Sequence, residues 1–368
     1  MQIGFDAKRY FLNNTGLGNY SRDLIRMLEQ YYPENKYIKY TPILHGAWFG
    51  TDFLETIKLP RTKAGLLLPS LWRRQWIVND LKKDHIDIYH GLSGEIPVGL
   101  RKANIKPVVT IHDLIFLIFP ELYKPVDRIL YNEKFKYAVR HADKIVAISQ
   151  QTKKDIIQFY GIPEHNIEVI YQGCHPTFKT IKTDADKENI RKKYNLPSNF
   201  ILNVGSIEPR KNAFQIVKAI ENIDIPLLII GKETKYSQDI HKYIQQKGLQ
   251  NSIFIRQGFT MEELATIYAM ADIFVYPSRY EGFGIPIIEA LYAGTPVITN
   301  KAGVFPEAGG PSSCYIDPDN LEELSLAIRT VLSDTAMRKK MREEGLQYAQ
   351  QFNDDVLARQ WIDLYQSM

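Results

Sequence analysis

The segment YEGFGIPIIEALYAGTPVITN (residues 280–300) follows a short apolar run and contains two glutamates, Glu281 and Glu289, with a Gly-Phe-Gly turn between them. Glycines in such a turn allow the backbone to approach a ligand closely, because they lack a Cβ atom. Pro286 suits the first turn of a helix, where its missing N–H costs nothing. The segment therefore predicts a strand, a loop and a helix, with Glu281 in the loop and Glu289 near the first helical turn.

The chemistry of this unit suits a polar ligand. Free N–H groups and the dipole at a helix start favour negative charge or hydroxyl oxygens. An ionised carboxylate can accept hydrogen bonds from two vicinal hydroxyl groups, as sugars present them. The alternative is a helix cap followed by a solvated surface acid.

Length and composition indicate a soluble two-domain protein. A chain of 368 residues is long for one hydrophobic core, so two domains are expected. Its two cysteines lie far apart and suggest neither a disulfide framework nor a zinc site, which fits a reducing cytosol. The first residues lack the pattern of a signal peptide, and no apolar run approaches the roughly 18 residues of a membrane span. A cytoplasmic location is expected.

Charge is distributed unevenly along the chain. Residues 1–175 contain 24 Lys and Arg against 18 Asp and Glu, whereas the remainder has a small acidic excess. A basic first half favours an acidic partner, such as a membrane surface, a phosphate ligand or nucleic acid. Solubility alone is the alternative explanation, and a nucleic-acid binder would need base-reading or stacking motifs that the sequence does not show.

Strand and helix patterns alternate in two series. The apolar runs predicted as strands are 1–7, 86–90, 106–113, 142–149, 199–205, 225–231, 252–258, 271–278 and 295–300. This alternation predicts an α/β protein with two doubly wound parallel sheets, which bind ligands beyond the carboxyl ends of their strands. A polar, turn-rich stretch separates a first domain (1–172) from a second (173–354). A final helix (355–368) is a candidate to cross back to the first domain.

Several further segments carry a family resemblance. They are TGLGNYSRDLIRML, VVTIHDLIF, ADKIVAISQQTKKDI, NVGSIEPRKN and GFTMEELATIYAMADIFVYPSRYEGFG. In this order, and with the two glutamates matching an E-x7-E signature, they resemble the retaining family 4 glycosyltransferases of the GT-B fold, and mannosyltransferases in particular. The resemblance covers nearly the whole chain. It implies two Rossmann-like domains facing across a cleft, with an acceptor-side first domain, a donor-binding second domain and a nucleotide sugar between them.

The resemblance also assigns roles to residues of the second domain. Glu289 matches the acid that holds the ribose hydroxyls of the nucleotide, and Glu281 the acid that contacts hydroxyls of the donor sugar. The backbone at Phe283 and Gly284 matches the part that lies beside that sugar. Lys211 matches the cation on the diphosphate.

The segment GSIEPRKN (205–212) supports a phosphate site on its own terms. It ends a predicted strand, opens a predicted helix and carries Arg210 and Lys211 side by side. The alternative is a solvated basic pair. Many family members carry an arginine directly after the glycine, where this chain has Ser206, so Arg210 is expected to supply that charge. Lys232, which follows the next strand, is a third candidate.

The first domain contributes two candidate segments. The loop GLGN (16–19) contains Gly16 and Gly18, which by resemblance face the phosphates or the sugar. His112 ends a buried strand, where a histidine is commonly a satisfied structural residue. In the family, however, a histidine at this place points at the donor sugar, and Asp113 would either orient it or cap the turn.

The sequence predicts transfer without a metal cofactor. It has no DxD pair and no histidine cluster with zinc spacing. Lysine and arginine can neutralise the leaving diphosphate instead. The expected activity is retaining transfer of a hexose, with GDP-mannose favoured, to a glycan or lipid-linked acceptor in bacterial-type polysaccharide assembly. The alternatives are another GT-B enzyme, such as an epimerase or phosphorylase, and a non-catalytic nucleotide-sugar binding protein.

A basic, tryptophan-containing stretch suggests membrane contact. Residues 66–83 (LLLPSLWRRQWIVNDLKK) place Trp72 and Trp76 beside Arg73 and Arg74. Tryptophan beside arginine suits an interface between lipid and water, and predicts reversible docking on anionic membrane. The alternative is a buried helix whose arginines pair with acids.

Overall fold

A computed structural model describes residues 1–13, 15–44 and 54–368. The chain forms two compact units: unit 1 comprises residues 1–173 and 353–368, and unit 2 comprises residues 174–352. Each unit is a parallel sheet covered by helices, so the predicted α/β class is confirmed. Parallel strands require crossover helices, and these helices cover the faces of each sheet.

Unit 1 contains a seven-stranded sheet in the order β3-β2-β1-β4-β5-β6-β7. Its strands are β1 (Gln2–Asp6), β2 (Lys36–Tyr40), β3 (Ile57–Lys58), β4 (Ile88–Gly91), β5 (Lys106–Ile111), β6 (Lys144–Ala147) and β7 (Ile167–Val169). Its helices before the boundary are α1 (Lys8–Leu12), α2 (Gly16–Tyr31), α3 (Lys63–Leu67), α4 (Pro69–Leu71), α5 (Ile77–Lys83), α6 (Ile115–Ile118), α7 (Pro125–His141) and α8 (Gln150–Tyr160). A π-helical turn, Trp72–Trp76, joins α4 to α5.

Unit 2 contains a six-stranded sheet in the order β10-β9-β8-β11-β12-β13. Its strands are β8 (Ile201–Val204), β9 (Leu227–Ile230), β10 (Ile253–Arg256), β11 (Ile273–Tyr276), β12 (Val297–Asn300) and β13 (Cys314–Ile316). Its helices are α9 (Asp184–Tyr194), α10 (Ala213–Ala219), α11 (Ser237–Gln246), α12 (Met261–Met270), α13 (Ile285–Tyr292), α14 (Phe305–Gly309), α15 (Leu321–Ser333) and α16 (Thr335–Ala349).

The last helix, α17 (Asp354–Gln366), belongs to unit 1. Its apolar face packs into the core that also contains Phe5 and Leu24. The Tyr365 hydroxyl lies 2.8 Å from Nδ1 of the buried His90. Burial of this face, rather than any pairing with a strand, fixes the end of the chain on unit 1.

Strand order reverses once in each sheet. The reversal lies between β1 and β4 in unit 1, and between β8 and β11 in unit 2. The loops that leave adjacent strands at such a switch point diverge to opposite faces and open a crevice, where ligands of α/β sheets bind. Both candidate sites below lie at these two points.

The predicted strands are all present, but the sequence patterns missed β2, β3, β7 and β13. Strand β2 reads KYIKY, which is polar for a buried strand. Lys39 within it is nevertheless only 2% exposed, because its ammonium group pairs with Glu29 and lies 3.2 Å from the Thr56 hydroxyl. None of the described helices combines the length and the apolarity needed to cross a bilayer.

Candidate functional site

The carboxylate of Glu281 lies at the switch point of unit 2, between two cations. Glu281 follows β11, and Arg210 and Lys211 end a short 3-10 turn after β8. Its Oε1 is 3.0 Å from Arg210 Nη1 and 3.2 Å from Lys211 Nζ. All three side chains are at most 16% exposed, so neither a solvated basic pair nor a surface acid describes them.

Two hydroxyl groups complete this cluster, and the sequence patterns missed both. The Tyr276 hydroxyl lies 2.9 Å from Lys211 Nζ, which donates to it, and itself donates to Glu281 Oε1 at 2.9 Å. Ser278 Oγ donates to the same oxygen at 2.9 Å. Tyr276 ends a buried strand at the switch point, and that position is the signal that could have identified it.

The cluster is charged at neutral pH. Burial alone would raise the pKa of Glu281, but the adjacent Lys211 and Arg210 outweigh it and lower this pKa to about 2. Burial likewise acts to lower the pKa of Lys211, but Tyr276 and Glu281 raise it above its ordinary value. A buried carboxylate thus holds two cations in fixed positions.

The outer side of the cluster is more exposed. Glu208 lies 3.2 Å from Arg210 Nη2 and accepts a 2.9 Å hydrogen bond from Ser206 Oγ. The carboxylate of Glu208 therefore links Ser206 to Arg210. Lys232 follows β9, where its carbonyl accepts from the Ile207 N–H, and its side chain is exposed.

The loop after Glu281 forms as predicted. Helix α13 begins at Ile285 with Pro286 in its first turn. Gly284 precedes it with φ of 121°, a conformation that disfavours any residue with a Cβ atom. Phe283 is buried and meets Phe352 edge-on, with ring centroids 5.7 Å apart, which anchors the loop.

Glu289 is buried and lies near the first turn of α13, as the sequence predicts. It is the fifth residue of the helix, just beyond the first turn, where the effect of the helix dipole on its charge is already weaker. Its neighbour is Tyr268 of α12, whose pKa is raised by burial and then by the charge of Glu289. A buried carboxylate with a tyrosine at its side is suited to accept hydrogen bonds from ligand hydroxyls.

His112 of unit 1 has both ring nitrogens engaged inside its own unit. Nε2 lies 2.8 Å from the Leu92 carbonyl oxygen, and Nδ1 lies 2.9 Å from the Gln172 amide nitrogen. The Gln172 N–H donates to Nδ1, so the ring proton is on Nε2. Burial lowers the pKa of His112 to about 4, and the imidazole is neutral at pH 7. Asp113 accepts from the Ile115 N–H at the start of α6.

The predicted glycine loop of unit 1 is the first turn of a helix. Gly16 and Gly18 both lie within α2, not in a loop before it. A Cβ atom on Gly18 would fall 1.8 Å from the Asn13 carbonyl oxygen, so the close approach of these two backbones requires glycine. Gly16 has no such neighbour among the described residues.

The structure also corrects the predicted membrane-binding stretch. Trp72 is buried, and its indole N–H donates to Asp80 at 2.8 Å. Arg73 pairs with Asp6 at 2.5 Å and with Glu95 at 3.5 Å. These two side chains therefore follow the alternative of a buried segment whose arginine pairs with acids, whereas Arg74 is exposed.

Across residues 1–13, 15–44 and 54–368, no group of three or more His, Cys, Asp or Glu side chains is placed to hold a metal ion. Transfer without a metal stays a prediction. The roles that the resemblance assigns to individual residues also stay predictions.

Relatives of known activity match this chain along its length. It is 29% identical over 389 aligned positions to O-antigen chain mannosyltransferase B of Escherichia coli, with 99% of each chain covered. It is 28% identical over 281 positions to the serotype-specific mannosyltransferase WbdA of Escherichia coli, where the match covers 73% of this chain and 34% of the larger relative.

The fold matches solved structures equally broadly. Anabaena Alr3699/HepE, crystallised with UDP and glucose, superposes with a TM-score of 0.78 at 20% identity, and the match covers 100% of both chains. Residues 16–178 match the family described as Glycosyltransferase Family 4, and residues 186–348 match Glycosyl transferases group 1. The first match lies mainly on unit 1 and the second lies on unit 2. The chain therefore belongs to the family 4, group 1 glycosyltransferases of the GT-B fold.

Proposed function

We propose that the protein transfers a mannosyl residue from GDP-mannose to a hydroxyl group of a glycan or lipid-linked acceptor, with retention of anomeric configuration. The observation that carries this proposal is the buried cluster of Arg210, Lys211 and Glu281 at the switch point of unit 2. The choice of mannose is supported by the activities that name the relatives. Polysaccharide assembly at the inner face of the cytoplasmic membrane is part of the proposal.

The two cations suit a diphosphate leaving group. As the bond between C1 of the sugar and the diphosphate oxygen breaks, negative charge grows on that oxygen. Lys211 and Arg210 are held in place by Glu281 and Tyr276 before any ligand binds, so their charges need no reorganisation during the reaction. Glu208 is the more exposed partner of Arg210, and a phosphate oxygen can replace it.

Glu281 has room for a second role. The hydrogen bonds from Tyr276 and Ser278 both reach Oε1, which is also the oxygen nearest to Arg210 and Lys211. Oε2 can therefore accept from a hydroxyl of the donor sugar while the cations stay in position. Glu289 accepts from the ribose diol of the nucleotide in this proposal.

Retention follows if the leaving oxygen takes the proton of the acceptor hydroxyl on the same face of the sugar. The sugar passes through an oxocarbenium-like state, and the cations stabilise the departing diphosphate. The proposal needs no protein nucleophile. His112 is a neutral imidazole with both ring nitrogens hydrogen-bonded inside unit 1, so the proposal assigns it no role as a cation.

A donor screen tests the activity. The full-length protein is incubated with GDP-mannose, UDP-glucose and UDP-galactose, each with and without a mannose-containing oligosaccharide. Acceptor-dependent release of GDP, with an α-linked product by NMR, supports the proposal. An epimerase would change the sugar without releasing the nucleotide, and a binding protein would release nothing. Activity should survive EDTA, and a loss restored by magnesium or manganese would contradict the metal-free mechanism.

The proposed membrane contact rests on the first residues of the 66–83 stretch and not on Trp72 or Arg73. Leu66, Leu67 and Leu68 form an exposed apolar run at the end of α3, and the exposed Lys63 begins the same helix. Exposed leucines next to a cation suit the surface of an anionic bilayer. Cosedimentation with liposomes, with and without anionic lipid, tests this contact.

A further inference from the structure

A second charged pocket lies at the switch point of unit 1. Strand β1 ends in Asp6, and the loop after β4 contributes Glu95. These residues line a cavity of about 350 Å³, which is within the range of small-ligand sites. The cavity lies beyond the carboxyl ends of the two strands between which the order reverses.

The floor of this pocket is a network of ion pairs. Arg73, whose side chain is 14% exposed, bridges Asp6 and Glu95, and Lys134 lies 3.2 Å from Glu95. The π-helical turn delivers Arg73 to this place, while Trp72 at its start is fixed in the core. Such turns are frequent at functional sites, since they redirect a side chain at a cost in helix geometry.

Two further cations line the pocket without an acidic partner. In the described part of the chain, the side chains of Lys8 and Arg74 form neither an ion pair nor a hydrogen bond, although both border the cavity. Burial lowers the pKa of Lys8, and the neighbouring Arg73 and Arg9 lower it more than the nearby acids raise it. Lys8 thus lies where positive potential is in excess, and an anion bound there would relieve it.

The remaining walls suit a sugar ring. Val98 and Leu130 are exposed apolar side chains, and Tyr137 borders the same cavity. Aromatic and aliphatic surfaces pack on the C–H faces of a sugar, while carboxylates accept from its hydroxyls. Glu133, an exposed acid on the same side of α7, is available for such a bond.

We propose that this pocket binds the acceptor, and that it selects an acceptor sugar carrying an anionic group, which Lys8 and Arg74 contact. The inference rests on the proposed transferase function and adds the charge class of the acceptor. The anionic group can be a phosphate ester or a uronate carboxylate, since both present oxygens to lysine and arginine.

Calorimetry with the full-length protein tests the pocket without relying on turnover. The probes are mannose 1-phosphate, glucuronic acid, methyl mannoside as the neutral sugar, inorganic phosphate and GDP. The variants are Lys8→Gln and Arg74→Gln. Lys154→Gln and Arg140→Gln are matched controls, because both of those side chains are exposed and lie outside the pocket.

Each pocket variant is expected to weaken binding of an anionic sugar about tenfold, the loss typical of one charge-assisted hydrogen bond. The controls should leave it unchanged, and GDP affinity should be the same in all variants. Preference for mannose 1-phosphate or for glucuronic acid identifies the anionic group.

The proposal is overturned if methyl mannoside binds as tightly as the anionic sugars, if the control variants lose as much affinity as the pocket variants, or if GDP displaces the anionic sugar. Inorganic phosphate binding as tightly as both anionic sugars would also overturn it, since the pocket would then be a phosphate site only. Failure of the transferase proposal would appear separately, as absence of acceptor-dependent GDP release by the unmodified protein.

Discussion

The two switch points share a design but differ in their neutral neighbours. Each point pairs two cations with two carboxylates at the carboxyl ends of its sheet. In unit 2 the cations are Arg210 and Lys211, and the carboxylates are Glu208 and Glu281. In unit 1 the cations are Arg73 and Lys134, and the carboxylates are Asp6 and Glu95. In unit 2 Lys211 also donates to the Tyr276 hydroxyl. In unit 1 strand β4 contains His90 and β5 is followed by His112, and both histidines are buried and neutral.

Because of this difference, the two switch points suit different ligands. Fixed cations beside a buried carboxylate favour a ligand that gains negative charge, so unit 2 suits the leaving group. Neutral histidines carry no charge to a ligand, and Arg73 and Lys134 are paired with acids, so the proposed anion contacts in this pocket are Lys8 and Arg74. The same backbone topology therefore carries two different electrostatic sites, and function follows the side chains rather than the fold.

The largest expected effect tests the cations of unit 2. Lys211→Ala should lower turnover a hundred- to a thousandfold, about 3–4 kcal/mol, because the charge that meets the leaving diphosphate is lost. Lys232→Ala should cost less, and Lys235→Ala, an exposed lysine of the same unit, should cost nothing measurable. Turnover of GDP-mannose is the measurement. A loss below tenfold for Lys211→Ala would make Arg210 the main cation.

Glu281 gives unit 2 a characteristic response to acid. Its pKa of about 2 lies below the ordinary 4.5, so its stabilising contribution is present above pH 4.5 and is lost as the pH falls towards 2. A shift of this size corresponds to about 3 kcal/mol. Glu281→Gln should therefore be destabilised by this amount at pH 7 in urea titrations, and the difference from the unmodified protein should shrink at pH 3.

Glu322→Gln serves as the control, since Glu322 is exposed on α15 and forms no ion pair in the described residues. A Glu281→Gln deficit that does not change between pH 7 and pH 3 would mean that packing, not the charge of Glu281, holds the cluster together.

His112 gives unit 1 a response in a different pH range. Its pKa of about 4 lies below 6.5, so the unfolded chain binds the proton first as the pH falls. His112 should therefore cost the unit up to about 3 kcal/mol of stability between pH 6.5 and pH 4. His112→Gln should remove this part of the loss in urea titrations at pH 7 and pH 5, whereas the part that comes from the buried His90 should remain. His165→Gln, at an exposed position, should not.

The sequence predicted the strands that form apolar runs and missed one strand that buries a charge and three very short strands. β9 and β11 are continuous apolar segments, whereas β2 contains Lys39, which is buried because Glu29 reaches it from α2. β3, β7 and β13 have only two or three residues each. A pairing between distant segments leaves no periodic signal, so local patterns cannot report it.

The same limit applies to the site. The stretch around Glu281 was identified because its acids, glycines and proline lie close together in the chain. Tyr276 was missed because its hydroxyl group joins the cluster through a hydrogen bond from Lys211, which lies 65 residues away in the sequence. Trp72 looked like an interfacial residue because the sequence does not show that Asp80 accepts its indole N–H in the core.

The Glu289→Ala variant tests whether unit 2 binds the nucleotide. Glu289→Ala should weaken GDP binding by about 1.5–3 kcal/mol, since a ribose diol loses a charged acceptor. Glu281→Ala should lower turnover of the intact donor more than it weakens GDP binding, because it removes the proposed contact with the donor sugar as well as the carboxylate that holds Arg210 and Lys211. Calorimetry with GDP and kinetics with GDP-mannose separate the two. Equal losses of both variants for both ligands would mean that the roles of the two acids are not distinct.

The smallest expected effect compares the outer surfaces of the two units. Leu67 of unit 1 is 78% exposed, and Leu326 on α15 of unit 2 is 65% exposed. If unit 1 docks on membrane, Leu67→Glu should weaken liposome binding by about 2 kcal/mol, through lost burial of leucine and repulsion from anionic lipid. Leu326→Glu should have no effect, because the proposed contact involves unit 1 alone. Cosedimentation with anionic and neutral vesicles is the measurement. Equal losses for the two variants would indicate general adsorption of apolar surface, and the proposed contact at α3 would then be wrong.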